Sequence, residues 1–450
     1  MKENTKKSNN GITIISLVIT IIILIILSMI SIRLISKDDT VSNAEKVSKD
    51  YFLSEVSTKI QLAYKDLQTE QLTNLNFDEI VFLRNRLEYY GIEGATVTKE
   101  DDEYIIIVNN RKYVLNEKTG IAIVDKEISE FPEIQPNILA NENSKYISDN
   151  KMAIIPAGYT ISNIAAEQSI DNGLVVIDAD GNEWVWIPVN DVDFAKMFVE
   201  AVDNGWTMSG TSVKTKYKSN SGIIEGINRE NPGNSSQDNY REPDILVECE
   251  NSFAEEMGFG SNTTLTELAK IESNDYKKMV NSLRKYKGFY IGRYEISELG
   301  VKRNKQPITD CDWYYLYGKC KRFTKDSTES RMIWGCQWDQ TCKFISQYKE
   351  ENQIRTRDLT NSISYGNYPG STETGHGTLQ TTGFSEAWKT NNIYDLAGNC
   401  FEWTQEACYS NCRALRGGCA TENTPVLERD YDLAPGSSSI YSTRPILYIK

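Results

Sequence analysis

The residues best suited to hold a cation lie in one short stretch near the end of the chain, Ile393-Tyr394-Asp395-Leu396-Ala397-Gly398-Asn399-Cys400-Phe401-Glu402-Trp403-Thr404. Asp395 and Asn399 bond readily to nearby backbone, and Gly398 tolerates positive φ, so the first half reads as a turn. The second half alternates as a strand does, with Cys400, Glu402 and Thr404 on one face and Phe401 and Trp403 on the other. Asp395 and Glu402 therefore bracket a tight turn whose carbonyls at Gly398 and Cys400 are placed to point inward. Hard oxygens converging in this way suit Ca²⁺. The alternative is a plain turn, with Asp395 capping backbone amides and Glu402 in solvent.

Other chemistries are restricted by what the chain lacks. There is one histidine, His376, in the loop GSTETGHGTLQTTG. Iron sites of the two-histidine type and three-histidine zinc sites are therefore excluded. A Ser-His-Asp triad would have to use His376, which reads as an exposed loop residue. Of nine cysteines, Cys311, Cys320, Cys336, Cys342, Cys400, Cys408, Cys412 and Cys419 fall in the last third, with Cys249 apart. Outside a membrane such clustering favours disulfides. An odd count leaves at least one thiol unpaired or bonded between chains, and free buried thiols are the alternative. The spacing is not that of a zinc ribbon, although Cys408 and Cys412 lie close together.

The elements that must position these residues follow from pattern and composition. With 450 residues there is room for two or three domains, and 40% apolar content supports a folded core. The net charge of −14 argues against nucleic acid as a partner. Lys2, Lys6 and Lys7 form a basic leader before Ile12–Ile32, 21 residues without a charge. Such a run is long enough to cross a bilayer core of ~30 Å. With the basic leader inside, the rest of the chain is expected outside the cell membrane, as a single-pass protein. A polar helix is expected over 39–73 and a small β-meander over 103–126, with turns at Asn109-Asn110 and Lys118-Thr119-Gly120. Residues 127–150 carry Pro132 and Pro136 and read as a linker. Strands follow over 151–189, turning at Asp178-Ala179-Asp180-Gly181. A Gly-, Ser- and Asn-rich stretch over 203–262 reads as a surface insertion, and 265–286 as a helix with Leu268, Ile271, Met279 and Leu283 buried.

The stretch YDLAGNCFEWT resembles the YDMAGNVWEWT signature of the formylglycine-generating enzyme, or sulfatase-modifying factor, family. KGFYIGRYEIS (Lys287 to Ser297), RMIWGCQWDQTCKFI (Arg331 to Ile345) and RALRGG (Arg413 to Gly418) resemble three further motifs of that family in the same order, and EWVWIPV resembles the strand that often precedes such domains. The resemblance covers about residues 285–450. It implies a loop-rich, mixed α/β fold of the C-type-lectin kind, with a structural Ca²⁺ held by the counterparts of Asp395, Gly398, Cys400 and Glu402. The family enzyme oxidises protein cysteine with a pair of active-site cysteines. Aligned on Gly417-Gly418, those positions are Glu422 and Leu427, so neither Cu(I) binding nor catalysis is expected. The amino-terminal segment resembles a type IV pilin or pseudopilin signal, which a prepilin peptidase would cut between Gly11 and Ile12. Ser16 stands where pilins usually carry Glu.

These readings give an expected α+β protein: leader 1–11, transmembrane helix 12–37, a pilin-like helix and meander over 38–126, linker 127–150, and a sulfatase-modifying-factor-like domain over 151–450. The expected function is display of a non-catalytic binding domain at the cell surface. Tyr409, Arg416, Arg429, Tyr431, Tyr441 and Arg444 are the expected contacts to an extracellular protein or glycan. The competing functions are a cysteine-oxidising enzyme and a structural minor pilin.

Overall fold

The computed structural model describes residues 38–73, 77–100, 102–109, 111–125, 128–197, 206–209, 212–215, 242, 244–245, 253–350, 353–407 and 412–450. The chain divides into two compact units, Met1–Glu127 and Ile128–Lys450.

In the first unit, helix α1 (Asp38–Thr73) precedes α2 (Glu79–Tyr89) and an antiparallel meander of β1 (Thr96–Glu100), β2 (Glu103–Val108), β3 (Arg111–Asn116) and β4 (Ala122–Val124). Leu53, Val56, Ile60, Ala63 and Leu67 recur at helical spacing and bury one stripe of α1 in a core with Leu83, Tyr104, Ile106 and Leu115. Asp78 starts α2 by accepting the Ile80 and Val81 amides, each at 3.0 Å.

The expected amino-terminal transmembrane helix is corrected here. Among the described residues no helix is long and apolar enough to cross a membrane. α1 has the length, but Glu55, Lys59, Lys65, Asp66 and Glu70 interrupt it, and its apolar residues form a stripe. Gly11, Ile12 and the apolar run to Ile32 lie outside the described residues.

The second unit is built on a six-stranded antiparallel sheet. Its strands are β7 (Tyr159–Ile161), β8 (Val175–Asp178), β9 (Glu183–Pro188), β10 (Gly288–Gly292), β11 (Thr328–Met332) and β16 (Pro445–Ile449), in the spatial order β11-β16-β10-β9-β8-β7. The central strands read as nearly unbroken apolar runs because both faces are covered. Trp184, Trp186, Tyr290 and Leu447 enter one core with Trp313, Leu316 and Tyr317 of α5 (Trp313–Lys321). Val185, Ile187, Phe289 and Ile446 enter the other with Met197 of α3 (Asp191–Met197), Met279 and Leu283 of α4 (Leu265–Tyr286) and Trp338 and Cys342 of α6 (Gly335–Ile345). A capping box starts α4: Thr264 Oγ1 accepts the Glu267 amide at 3.3 Å, and Glu267 Oε2 accepts the Thr264 amide at 2.8 Å. A second sheet, in the order β14-β13-β12-β15, joins β12 (Phe401–Ala407), β13 (Cys412–Arg416), β14 (Asp430–Leu433) and β15 (Tyr441–Thr443).

Two boundaries differ from expectation. Of the expected linker 127–150, residues 128–150 pack into the second unit and do not act as a linker. Phe131, Ile134 and Ala140 are buried in its core, and Pro132 accepts the Lys145 amide at 2.8 Å, leading into the hairpin of β5 (Ser144–Ser148) and β6 (Lys151–Ile155). Most of 203–262 lies outside the described residues. Its end is no surface loop, since Ala254 and Met257 are buried.

At the end of α5, Lys321 is largely enclosed. Its Nζ lies 3.4 Å from the Phe259 ring centre and donates to the Met257 carbonyl at 3.1 Å. Burial, helped by the positive charge of Arg331, lowers its pKa from 10.5 to about 8. A cation whose folded pKa is depressed costs stability wherever it is charged in the fold, and that cost lifts as pH rises from 8 to 10.5. The parent is therefore expected to gain stability relative to Lys321→Met across that window. Denaturant unfolding at pH 7, 9 and 10.5 measures this, and a constant difference between the two proteins would contradict it.

Candidate functional site: a buried carboxylate and arginine cluster

The turn Ile393–Asn399 leads into β12. Asp395 and Asn399 both adopt positive φ, 54° and 62°, as short side chains that bond locally permit. Gly398, at φ 78°, lies so close to the Asn367 backbone that an added Cβ would be 2.2 Å from the Asn367 carbonyl oxygen. Gly417-Gly418 makes a similar approach, with a Cβ on Gly418 falling 2.1 Å from the Thr424 carbonyl oxygen. These glycines let the turn and the end of β13 pack backbone to backbone, where the Gly398 amide donates to the Gly417 carbonyl at 2.7 Å.

Under this turn lie four charged side chains, none more than 1% exposed: Glu295, Asp395, Glu402 and Arg444. Arg444 Nη2 donates to Glu402 Oε1 at 2.7 Å, and its Nε reaches both Glu402 oxygens at 3.2 and 3.1 Å. The guanidinium also donates to the carbonyls of Gly292 and Tyr394, each at 2.9 Å. Glu295, just past β10, accepts the Asn399 side-chain amide at 2.8 Å and the Cys400 backbone amide at 3.1 Å. Asp395 Oδ2 accepts the Gly383 amide at 2.6 Å, while its Oδ1 has no hydrogen-bond partner among the described residues.

Three carboxylates thus share one guanidinium away from water. Burial, then the charges of Asp395 and Glu402, push Glu295 well above the usual carboxylate range. Burial raises Asp395 to about 7. Burial also raises Glu402, with Arg444 opposing the shift. Burial works against the charge on Arg444, but Glu402 beside it holds the guanidinium above its ordinary value.

The expected Ca²⁺ ligands can now be tested for fit. Asp395, Gly398, Cys400 and Glu402 do come together, and Glu402 is not in solvent. Ca²⁺ takes six to eight oxygens. Here both Glu402 oxygens face a guanidinium, both Glu295 oxygens and Asp395 Oδ2 face N–H donors, and among the described residues Asp395 Oδ1 alone of the six carboxylate oxygens is unengaged. The donor set does not fit an ion cage, and Arg444 supplies the counter-charge. Among the described residues no group of three or more His, Cys, Asp or Glu side chains is arranged to hold a metal.

The expected ligand contacts divide. Arg416 and Arg444 are wholly buried, so neither meets a ligand at the surface. Arg416 Nη2 donates to Asp339 Oδ1 at 3.0 Å, and Arg429 Nε to Glu406 Oε2 at 3.0 Å, in a second buried network beside α6. Burial, with Arg429 nearby, lowers Arg416 below its ordinary value. Tyr431 is exposed, Tyr441 is half-buried, and Tyr409 lies outside the described residues.

Cys311, Cys320, Cys342, Cys400 and Cys419 are free thiols, against the expected disulfides. All but Cys311 are buried. Leu427 is nearly buried and Glu422 is exposed, and Cys419 Sγ contacts Thr421 Oγ1 at 3.3 Å. His376 is exposed, as the sequence suggested.

Sequence reasoning missed Glu295. Its only signal was the Arg293-Tyr294-Glu295 run following an apolar strand, where a charge on a buried element calls for a partner.

No protein-family model and no curated protein matches the chain. The pilin and sulfatase-modifying-factor assignments expected from the motifs thus gain no family support. Among solved structures the chain is similar to Treponema denticola variable protein 1, with 15% identity and a TM-score of 0.27 over 36% of this chain and 84% of that one. A likeness this weak carries no argument about fold or function.

Proposed function

We propose that the second unit is a recognition module that binds a protein or glycan and does not oxidise cysteine. The observation that carries this reading is the pair Glu422 and Leu427, standing where the resembled enzyme needs two thiols. Neither side chain can hold a soft Cu(I) ion or engage a substrate sulfur. Cys419 is the nearest thiol, and burial raises its pKa, which keeps it protonated and a poor nucleophile. The buried charge clusters serve the same reading, because they lock a loop-rich scaffold into one shape for recognition.

A cysteine-containing sulfatase peptide with Cu(I) and O₂, analysed by mass, tests the reading. No aldehyde above a no-protein blank is expected. Aldehyde formation that disappears in Cys419→Ser would overturn the reading in favour of the enzyme. In parallel, labelled protein on peptide and glycan arrays is expected to show saturable binding.

A further inference from the structure

The meander of the first unit has two unlike faces. Tyr104, Ile106, Tyr113 and Leu115 turn toward the helices and are buried in the core with α1. The residues that alternate with them point away from it. On that outward face Ile105 of β2 pairs with Val114 of β3, and Val114 with Ile123 of β4. Ile107 lies two residues beyond Ile105, and Ile121 two before Ile123, so both join the same face. Ile107, Ile121 and Ile123 are 43%, 51% and 64% exposed. The solvated face of an antiparallel sheet is ordinarily polar. Adjoining aliphatic side chains left in water mark a place of contact.

Charges sit at the two ends of this face. At one end Glu100 of β1 pairs with Glu103 of β2. At the other, Lys112 of β3 lies opposite Ile107, its side chain 47% exposed and 3.5 Å from Asp125. Glu103 lies opposite Asn116, so it is four residues from Lys112, or about 13 Å along the strand. Among the described residues neither Glu100 nor Glu103 has an ion-pair partner.

We propose that this face packs on the same face of a second copy of the chain across a two-fold axis, with the strands of the two copies running in opposite directions. That orientation sets Glu103 of each copy beside Lys112 of the other, whereas strands running the same way would bring the acidic ends together. A second copy also offers a sheet of matching twist, as aligned sheet packing requires. Three outward residues on each of four strands span roughly 19 by 20 Å, so the two copies together cover about 750 Å². That falls below the ~1,200 Å² of stable complexes, so the pairing is transient and forms at high local concentration. The inference concerns the first unit and is independent of the recognition reading of the second.

Photo-cross-linking of the full chain tests this. p-Benzoylphenylalanine replaces Thr98, which is exposed on this face opposite Ile105. Equal parts of isotope-labelled and unlabelled chain are mixed, irradiated and digested, and the peptides are weighed. Peptides joining a labelled to an unlabelled chain are expected, with position 98 linked to β1 or β2 of the other copy. The same group in place of Tyr89, exposed on α2, is expected to give little of this product. Ile123→Lys, at an exposed position, is expected to lower the mixed product about tenfold. Lys112→Glu is expected to lower it about threefold. Glu103→Lys with Lys112→Glu exchanges the two ends and is expected to restore it. Mixed peptides as abundant from position 89 as from position 98 would overturn the proposal. So would links formed only within one chain, which would mean that the chain covers this face itself. A double reversal no better than Lys112→Glu would overturn it as well.

Discussion

Arg444→Met is expected to cost about 3–5 kcal/mol of stability or to prevent folding of the second unit, because it strands a buried carboxylate without its partner. Arg444 makes five hydrogen bonds, three to Glu402 and two to backbone carbonyls. With it gone, Glu295, Asp395 and Glu402 face one another with no positive charge among them. Glu402→Gln is expected to cost less, since a neutral amide still accepts a hydrogen bond. The double variant is expected to be more stable than the sum of the two single losses implies, as removing both members of a buried pair usually costs less than removing one. Denaturant unfolding of the four proteins completes the cycle, and strictly additive losses would contradict the pairing. The same melts address Ca²⁺. A native-state ligand at a hundredfold excess over its dissociation constant adds about 2.7 kcal/mol. The parent is expected to melt alike with Ca²⁺ and with chelator. A rise of several degrees with Ca²⁺, lost in Glu402→Gln, would restore the ion.

The second large effect is expected at the turn itself. Gly398→Ala places a side chain on a residue at φ 78° and sets its Cβ 2.2 Å from the Asn367 carbonyl oxygen. The left-handed conformation alone costs about 1–2 kcal/mol for an L-residue. Relieving the overlap means moving packed backbone, at about 1–3 kcal/mol more. A total near 3 kcal/mol follows, together with displacement of Asn399 and loss of its hydrogen bond to Glu295. Thermal unfolding measures the loss. A variant as stable as the parent would mean that the turn is not packed against Asn367 as described.

Local chemistry was readable from the residues alone wherever a few neighbours decide the outcome. Asp395, Gly398 and Asn399 read as a turn because each residue's own side chain, or its lack of one, favours positive φ. The stripe on α1, the meander that follows it and the amphipathic side of α4 were legible because period and turn chemistry are local properties. The apolar alternation of Phe401 and Trp403 showed a strand, although it did not show that all seven residues of β12 are buried. That burial comes from elements on both sides of the strand, which no window of sequence contains.

What only the tertiary structure decided is the partner of each buried charge. Glu402 meets Arg444 across 42 positions, and Glu295 meets Asn399 and Cys400 across 104 and 105. Arg416 and Arg444 look like surface arginines in a polar, tyrosine-rich tail, yet strand pairing carries both into the interior. A carboxylate beside a turn is an ion ligand or an ion-pair member according to what arrives opposite it. The residue types at Asp395 and Glu402 require a positive charge once they are buried, because an uncompensated carboxylate is too costly away from water. Whether a metal or a guanidinium meets that requirement depends on which chain segment the sheets bring alongside, and here the junction of β15 and β16 brings Arg444.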